Sequence, residues 1–330
     1  MIGMKVKKRK IKVVRGKYEF FAQRCKELRF IIWIFVLTSC QVQKIQLGLN
    51  LKQGNRYIQK MNNSISMQQR FGGQEATMIM KLNSVTEFKV TNVHDTFYDM
   101  DVIPAHISMK MGLPGRETEF SSEKNDEKDY FSKFLGIMKK SVYQIKMSKK
   151  GKVNEVSNLE SIITNSINML PPLPELQRKQ IMGQLMHSFG EKAFKGNLEM
   201  YMAIFPDSFV KKGDKWVIKT QLESGMAAKM ETVYELKKIT RTYYQIVGNS
   251  TLETIDKDAY VETNGMPMKY DLVGTMTSDI KVDRKSRWIK SALVNSDEKG
   301  TASIKENPQL PDGLSMPMRI INKVIITEKK

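Results

Sequence analysis

MKYDLVGTMTSDIKVD, residues 268–283, carries the signal on which the fold class turns. Met268, Tyr270, Leu272, Met276, Ile280 and Val282 fall at even positions, and Lys269, Asp271, Thr275, Thr277, Asp279, Lys281 and Asp283 fall between them. Successive side chains of a strand point to opposite faces, so this spacing gives one apolar and one polar face. DRKS then has turn chemistry, and RWIKSALV reads as the returning strand. The same alternation recurs in TMIMKL (Met78, Met80, Leu82), HISMKM (Ile107, Met109, Met111) and KMETVYELK (Met230, Tyr234, Leu236), and again in the C-terminal MRIINKVIIT. With short polar turns such as RFGGQE and SKKGK between them, these segments predict a curved antiparallel meander with one wet face.

Helical periodicity is concentrated mid-chain. In SNLESIITNSINML, Leu159, Ile162, Ile163, Ile167 and Leu170 share a face, and Ser157 and Glu160 have capping-box spacing. Pro171, Pro172 and Pro174 end that helix, after which ELQRKQIMGQLMHSF opens a second with Met182, Leu185, Met186 and Phe189 on one side. KGNLEMYMAIF is a third candidate and KNDEKDYFSKFLGIMKK a shorter fourth. The charged stretch 117–129 and LPPLPE read as loops. The expectation is a mainly β (α+β) chain whose two sheet-forming halves flank a helical insert at about 156–204.

Near the start, RFIIWIFVLTSC (residues 29–40) has the form of the end of a bacterial lipoprotein signal. A basic segment leads into the apolar run 30–37, and Leu37-Thr38-Ser39-Cys40 matches the pattern cleaved before the cysteine and acylated on it. A spanning helix needs roughly 20 apolar residues; this run is far shorter and suits a signal segment. A buried core element is the competing reading, and KVKKRKIK alone has the look of a nucleic-acid patch. The expected organisation is a leader over 1–39 and a lipid-anchored domain over 40–330. Cys25 would leave with the leader, and Cys40 would carry diacylglycerol and palmitate, leaving no thiol for a disulfide or metal site. Two or three acyl chains make such an anchor effectively permanent.

The whole chain carries 54 basic and 35 acidic residues, net +19. The first 29 residues hold eleven basic and two acidic ones, so nearly half of the excess belongs to the leader. Elsewhere Lys and Arg are scattered singly, which fits a solvated surface with some attraction to anionic headgroups. No RNA-binding, zinc-finger or helix-turn-helix signature is present, so nucleic acid is not an expected partner.

Several segments together resemble a Bacteroidota family of uncharacterised lipoproteins built on a domain of unknown function. They are the lipobox, GLNLKQGNRYIQKMNNSISM (48–67), FKVTNVHDTFYDM (88–100), FPDSFVKKGDKW (205–216), YDLVGTMTSDIKVDRKSRWIK (270–290) and GLSMPMRI (313–320). The resemblance implies a curved antiparallel half-barrel packed on helices, similar to periplasmic lipoprotein carriers and lipid-binding lipoproteins. It assigns no catalytic residue. Gln41 and Val42 follow Cys40 without an acidic pair, unlike the acidic surface-export tethers of some such bacteria, which points to the periplasmic face of the outer membrane.

Chemistry has few places to hide. His94, His106 and His187 are the only histidines; His94-Asp95 are neighbours that a strand would point to opposite faces. His187 beside Met186 reads as a boundary residue, and Asp207, Lys211, Lys212 and Asp214 read as a turn into a strand. There is no G-x-S-x-G, H-E-x-x-H, Cys/His metal spacing or phosphate-cradling loop, so no enzyme, metal or cofactor is expected. Methionine is different: 23 residues recur as MIM, MKM, MYM and two MPM units. Core packing by an adaptable side chain, an apolar cavity for acyl chains and Cu(I) capture by thioethers all remain open readings. A cavity would be lined by Met78, Met80, Met109, Met111, Met230, Tyr270 and Met276. The expected activity is non-catalytic binding of a hydrophobic or lipid ligand; a structural or protein-interaction envelope lipoprotein without a cavity is the alternative.

Overall fold

The computed structural model describes residues 44–329, apart from 72, 127, 171–173, 223–226, 264–265 and 309. The leader expected over 1–39 and Cys40 therefore lie outside the described residues. The alternation that dominates the sequence becomes thirteen strands. The first half supplies β1 (Arg56–Phe71), β2 (Gln74–Val93), β3 (Phe97–Leu113), β4 (Arg116–Ser121), β5 (Tyr143–Ser148) and β6 (Val153–Ser157). The second supplies β7 (Lys215–Leu222), β8 (Ala228–Ile239), β9 (Tyr243–Thr254), β10 (Val261–Thr263), β11 (Met266–Asp283), β12 (Ile289–Ile304) and β13 (Leu314–Lys329). Four helices complete the described chain: α1 (Tyr130–Lys139), α2 (Leu159–Asn168), α3 (Glu175–Phe189) and α4 (Glu191–Met202).

All thirteen strands belong to one open, curled antiparallel sheet, in the order β6-β5-β3-β2-β1-β13-β12-β11-β9-β8-β7. β4 pairs with β3 and β10 with β11 beside this path. The two halves of the chain are thus one sheet, joined where β1 meets β13 from Ile58↔Lys329 to Gln69↔Met318. The first half winds out to one edge, the helices α2–α4 carry the chain across, and β7 returns it at the opposite edge.

In β11, Met268, Leu272, Met276, Ser278, Ile280 and Val282 are buried and Asp271, Thr275, Thr277 and Asp279 are exposed, as the alternation requires. The DRKS turn forms as read: Asp283 Oδ1 accepts from the Lys285 and Ser286 N–H groups at 2.8 and 2.9 Å. Those bonds hold the Asp283 carboxyl below its ordinary range against the raising effect of its own burial. The turn delivers Trp288, fully buried, onto Tyr57 with ring centroids 4.7 Å apart and onto Phe88 at 5.3 Å. Ahead of β1, Leu47, Leu49 and Leu51 are buried too, and Leu49 O accepts from the Tyr98 hydroxyl at 2.9 Å.

Local details depart from the sequence reading in two places. Ser157 ends β6 and donates to Glu155, so no capping box forms with Glu160; the helix starts after Asn158 in a left-handed conformation (φ 71°). Asn tolerates that region through its short polar side chain. Part of the charged 117–129 stretch is strand rather than loop, because Gly115 turns β3 into β4 and pairs Met109 with Phe120. Among the described residues no helix is long and apolar enough to cross a membrane.

Trp288→Ala removes a filled aromatic stack at the meeting point of β1, β2 and β12. It is expected to cost about 3–5 kcal/mol, read as a lower urea midpoint with an unchanged slope.

Candidate functional site

Strand and helix lengths set up the site. The 18 residues of β11 run roughly 60 Å, whereas the 15 residues of α3 run roughly 22 Å. The helices therefore cover only part of the apolar face. Under them lies the large core cluster that includes Phe134, Leu185, Tyr234, Met276 and Trp288. Beyond them a second cluster, with Met268, Leu272, Met316 and Met318, packs at the far ends of β11–β13. A cavity of about 620 Å³ is lined by members of both clusters, Leu185 and Met276 of the first and Leu272 and Ile320 of the second.

The sheet contributes the cavity floor. Met111, Met80 and Ile65 are cross-strand neighbours on β3, β2 and β1; Asn322, Ser296 and Met276 continue the row across β13, β12 and β11. Met109 and Leu82 line it one step along. The helices and β4 contribute an aromatic wall: Phe131 of α1 meets Phe120 of β4 edge-on at 5.0 Å, and Phe134 meets Phe189 at 5.7 Å. Gln184, Ser188 and Asn197 line the cavity while remaining exposed, so its helix side reaches solvent.

The wall depends on how α1 begins. Asp129 caps it, accepting from the Ser132 N–H at 2.9 Å and the Ser132 hydroxyl at 2.7 Å, and it pairs with Lys124 at 2.7 Å. Burial pushes its carboxyl up, but Lys124 and the Ser132 donors prevail and hold it below the usual range. At the other end of the insert, Glu199 on α4 accepts from the Val153 N–H of β6 at 2.7 Å, with burial raising its carboxyl. Gly151 (φ +85°) permits the adjoining contact, since a Cβ there would sit 1.9 Å from Met202 O.

Of the seven residues expected to line a cavity, Met80, Met109, Met111 and Met276 do. Met78, Met230 and Tyr270 do not. Met230 is packed in the large core and Tyr270 against the second cluster, while Met78 lies opposite Met67 farther along β2. Alternation names the inward face correctly but cannot say how far along a strand the helices stop. The aromatic wall and the polar floor residues Asn63, Asn322, Ser296 and Glu298 escaped notice because they converge only through strand register and helix packing.

The three histidines lie apart from one another in their contacts. His94 pairs with Asp99 at 2.7 Å and stacks on Phe97. His106 faces Glu123 at 3.4 Å, and Lys139 pulls the Glu123 carboxyl down. His187 lines the cavity. Among the described residues no group of His, Cys, Asp and Glu could hold a metal ion.

The fold and cavity define a class: an open, curled β-sheet holding helices and a largely apolar chamber against one face. Residues 95–289 match the family of unknown function DUF6263, and the chain belongs to it. No match among curated proteins was found. A lipovitellin structure concerned with lipid–protein interactions is 8% identical with a TM-score of 0.47, covering 85% of this chain and 26% of its own. An outer membrane channel from Pseudomonas putida F1 is 6% identical with a TM-score of 0.22, covering 85% of this chain and 97% of its own. A domain described as an outer membrane lipoprotein-sorting protein, from Vibrio parahaemolyticus, is 10% identical with a TM-score of 0.13, covering 82% and 83%. None of these likenesses is near enough to argue function, so the functional reading rests on the cavity.

Asp129→Ala is expected to cost about 1 kcal/mol at neutral pH. Because the folded carboxyl titrates below its ordinary 3.8, its contribution is complete above that value and fades as pH falls further. Chemical denaturation of both proteins at pH 7 and at pH 3 checks this, with the gap narrowing in acid.

Proposed function

We propose that this protein is a lipid-anchored envelope protein that binds a hydrophobic ligand without chemical transformation. The observation that carries this is the cavity of about 620 Å³ walled by Met80, Met109, Met111, Met276 and the aromatic side chains of α1 and α3. That volume falls within the roughly 300–1,000 Å³ of small-molecule sites. Methionine suits such a wall because its flexible thioether adapts to chains of differing shape. Packing alone does not require the chamber, since interiors are ordinarily filled to crystal-like density. The lipobox before Cys40 supports anchoring at the outer membrane, periplasm-facing, with the folded domain close to headgroups. The acyl groups on Cys40 are the only covalent additions in this reading; it includes no metal, cofactor or nucleic acid.

The test is native purification of the full chain, solvent extraction and mass spectrometry of what is released. A stoichiometric apolar compound is expected. Binding of N-phenyl-1-naphthylamine is expected to weaken about tenfold or more in Met111→Trp, which narrows the chamber from its floor, a loss of at least about 1.4 kcal/mol. An empty protein that binds no apolar probe would leave an envelope interaction module as the better account.

A further inference from the structure

The cavity is not uniformly apolar. Ser296 stands opposite both Asn322 and Met276, and Glu298 stands opposite Ile320 and Gly274. Asn322 is paired in turn with Ile65 of β1, and Asn63 lies two residues along on the same face. All four polar residues line the cavity floor. The Oδ1 atoms of Asn63 and Asn322 are buried and have no hydrogen-bond partner among the described residues. Gly274 makes the arrangement possible: a Cβ there would lie 2.6 Å from Glu298 Cγ and 2.7 Å from Asp297 O. The glycine thus leaves room for a carboxyl side chain against an otherwise apolar floor.

The charge inventory of the chamber is one-sided. Its ionisable lining groups are Tyr130, His187, Glu253 and Glu298, with no lysine or arginine among the described residues that line it. An anion brought into the chamber would find a carboxyl and no guanidinium or ammonium, and an uncompensated buried charge is costly. Unpaired amide oxygens ask instead for a donor, since a buried acceptor without a partner costs about 1–3 kcal/mol.

We propose that the Asn63–Asn322–Ser296–Glu298 patch receives the polar end of the ligand, and that the ligand is an apolar chain ending in uncharged hydroxyl groups. A long-chain alcohol or a monoacylglycerol has this chemistry, whereas a fatty-acid anion and a phospholipid do not. The inference rests on the ligand-binding reading of the cavity. A hydroxyl can donate to an Asn oxygen and accept from a second group at the same time. An ammonium headgroup is a poorer match because it has donors and no acceptor, leaving the Ser296 hydroxyl and the Asn amide N–H groups beside it unserved, and because it must shed its hydration on entry.

The experiment uses the full chain at pH 8 and measures displacement of N-phenyl-1-naphthylamine by monoolein, oleyl alcohol, oleate and oleylamine, which share one hydrocarbon tail. The two hydroxyl compounds are expected to displace the probe at concentrations about tenfold or more below the other two. Asn322→Leu is expected to erase most of that preference, and an unfolding transition in urea with the parent's slope separates loss of the patch from loss of the fold. Oleate or oleylamine binding as tightly as the alcohol overturns the headgroup assignment alone. Failure of the probe and of all four compounds overturns the cavity reading with it.

A stability measurement bears on the same patch. A carboxyl whose folded value is raised destabilises the fold progressively as pH rises above its unfolded value. Glu298→Gln is therefore expected to raise the thermal midpoint at pH 7 and to leave it nearly unchanged at pH 4. An equal shift at both pH values would show that the carboxyl is not desolvated.

Discussion

Everything in the folded domain depends on the pairing of β1 with β13. These strands are separated by most of the described chain, yet they are hydrogen-bonded partners from Ile58↔Lys329 to Gln69↔Met318. Without that seam the two halves would be separate meanders, each with an unpaired long edge. With it, the unpaired sides move outward to β6 and β7, where α4 packs against both. The seam also runs beneath the cavity. Asn63 and Ile65 come from one side of it and Ile320 and Asn322 from the other.

The cavity follows from a mismatch between long strands and short helices. Alternating sequence makes the inward face apolar along its whole length, so side chains beyond the helices must pack among themselves. The second cluster at the ends of β11–β13 does this, and the chamber lies where the two clusters fail to merge. Gly274 on the inward face gives its space to the Glu298 side chain, which thereby joins the floor of that region. The helical wall is fixed at both ends by polar contacts, Asp129 at the head of α1 and Glu199 between α4 and β6.

The outer face contributes differently. Cross-strand ion pairs such as Lys219–Glu231 at 3.0 Å and the two-pronged Arg319–Asp297 contact at 2.9 and 2.6 Å cover it. Exposed pairs of this kind are worth about 0–1 kcal/mol each, so they serve strand register and solubility more than stability. Stability comes from the apolar stripes inside, with Trp288, Tyr98 and Tyr234 among the largest fully buried side chains.

The sequence by itself determined the period-2 stripes, hence the β-rich class, the DRKS turn, the helical insert and the inward face on which Met80, Met109, Met111 and Met276 lie. Those features are local: strand geometry alternates faces residue by residue, and turn chemistry acts over four residues. The sequence also carries Leu37-Thr38-Ser39-Cys40, a short linear pattern on which the proposal of a lipid anchor rests. Tertiary structure alone decided which inward methionines border empty space and which, like Met230, are packed away. It decided too that Asn63 converges with Asn322, Ser296 and Glu298, since β1 meets the β12–β13 pair only through a register set between the two ends of the described chain. The Ser157–Glu160 spacing shows the same limit from the other side. A capping pattern is a local preference, and the pairing of β6 with β5 held Ser157 in the sheet instead.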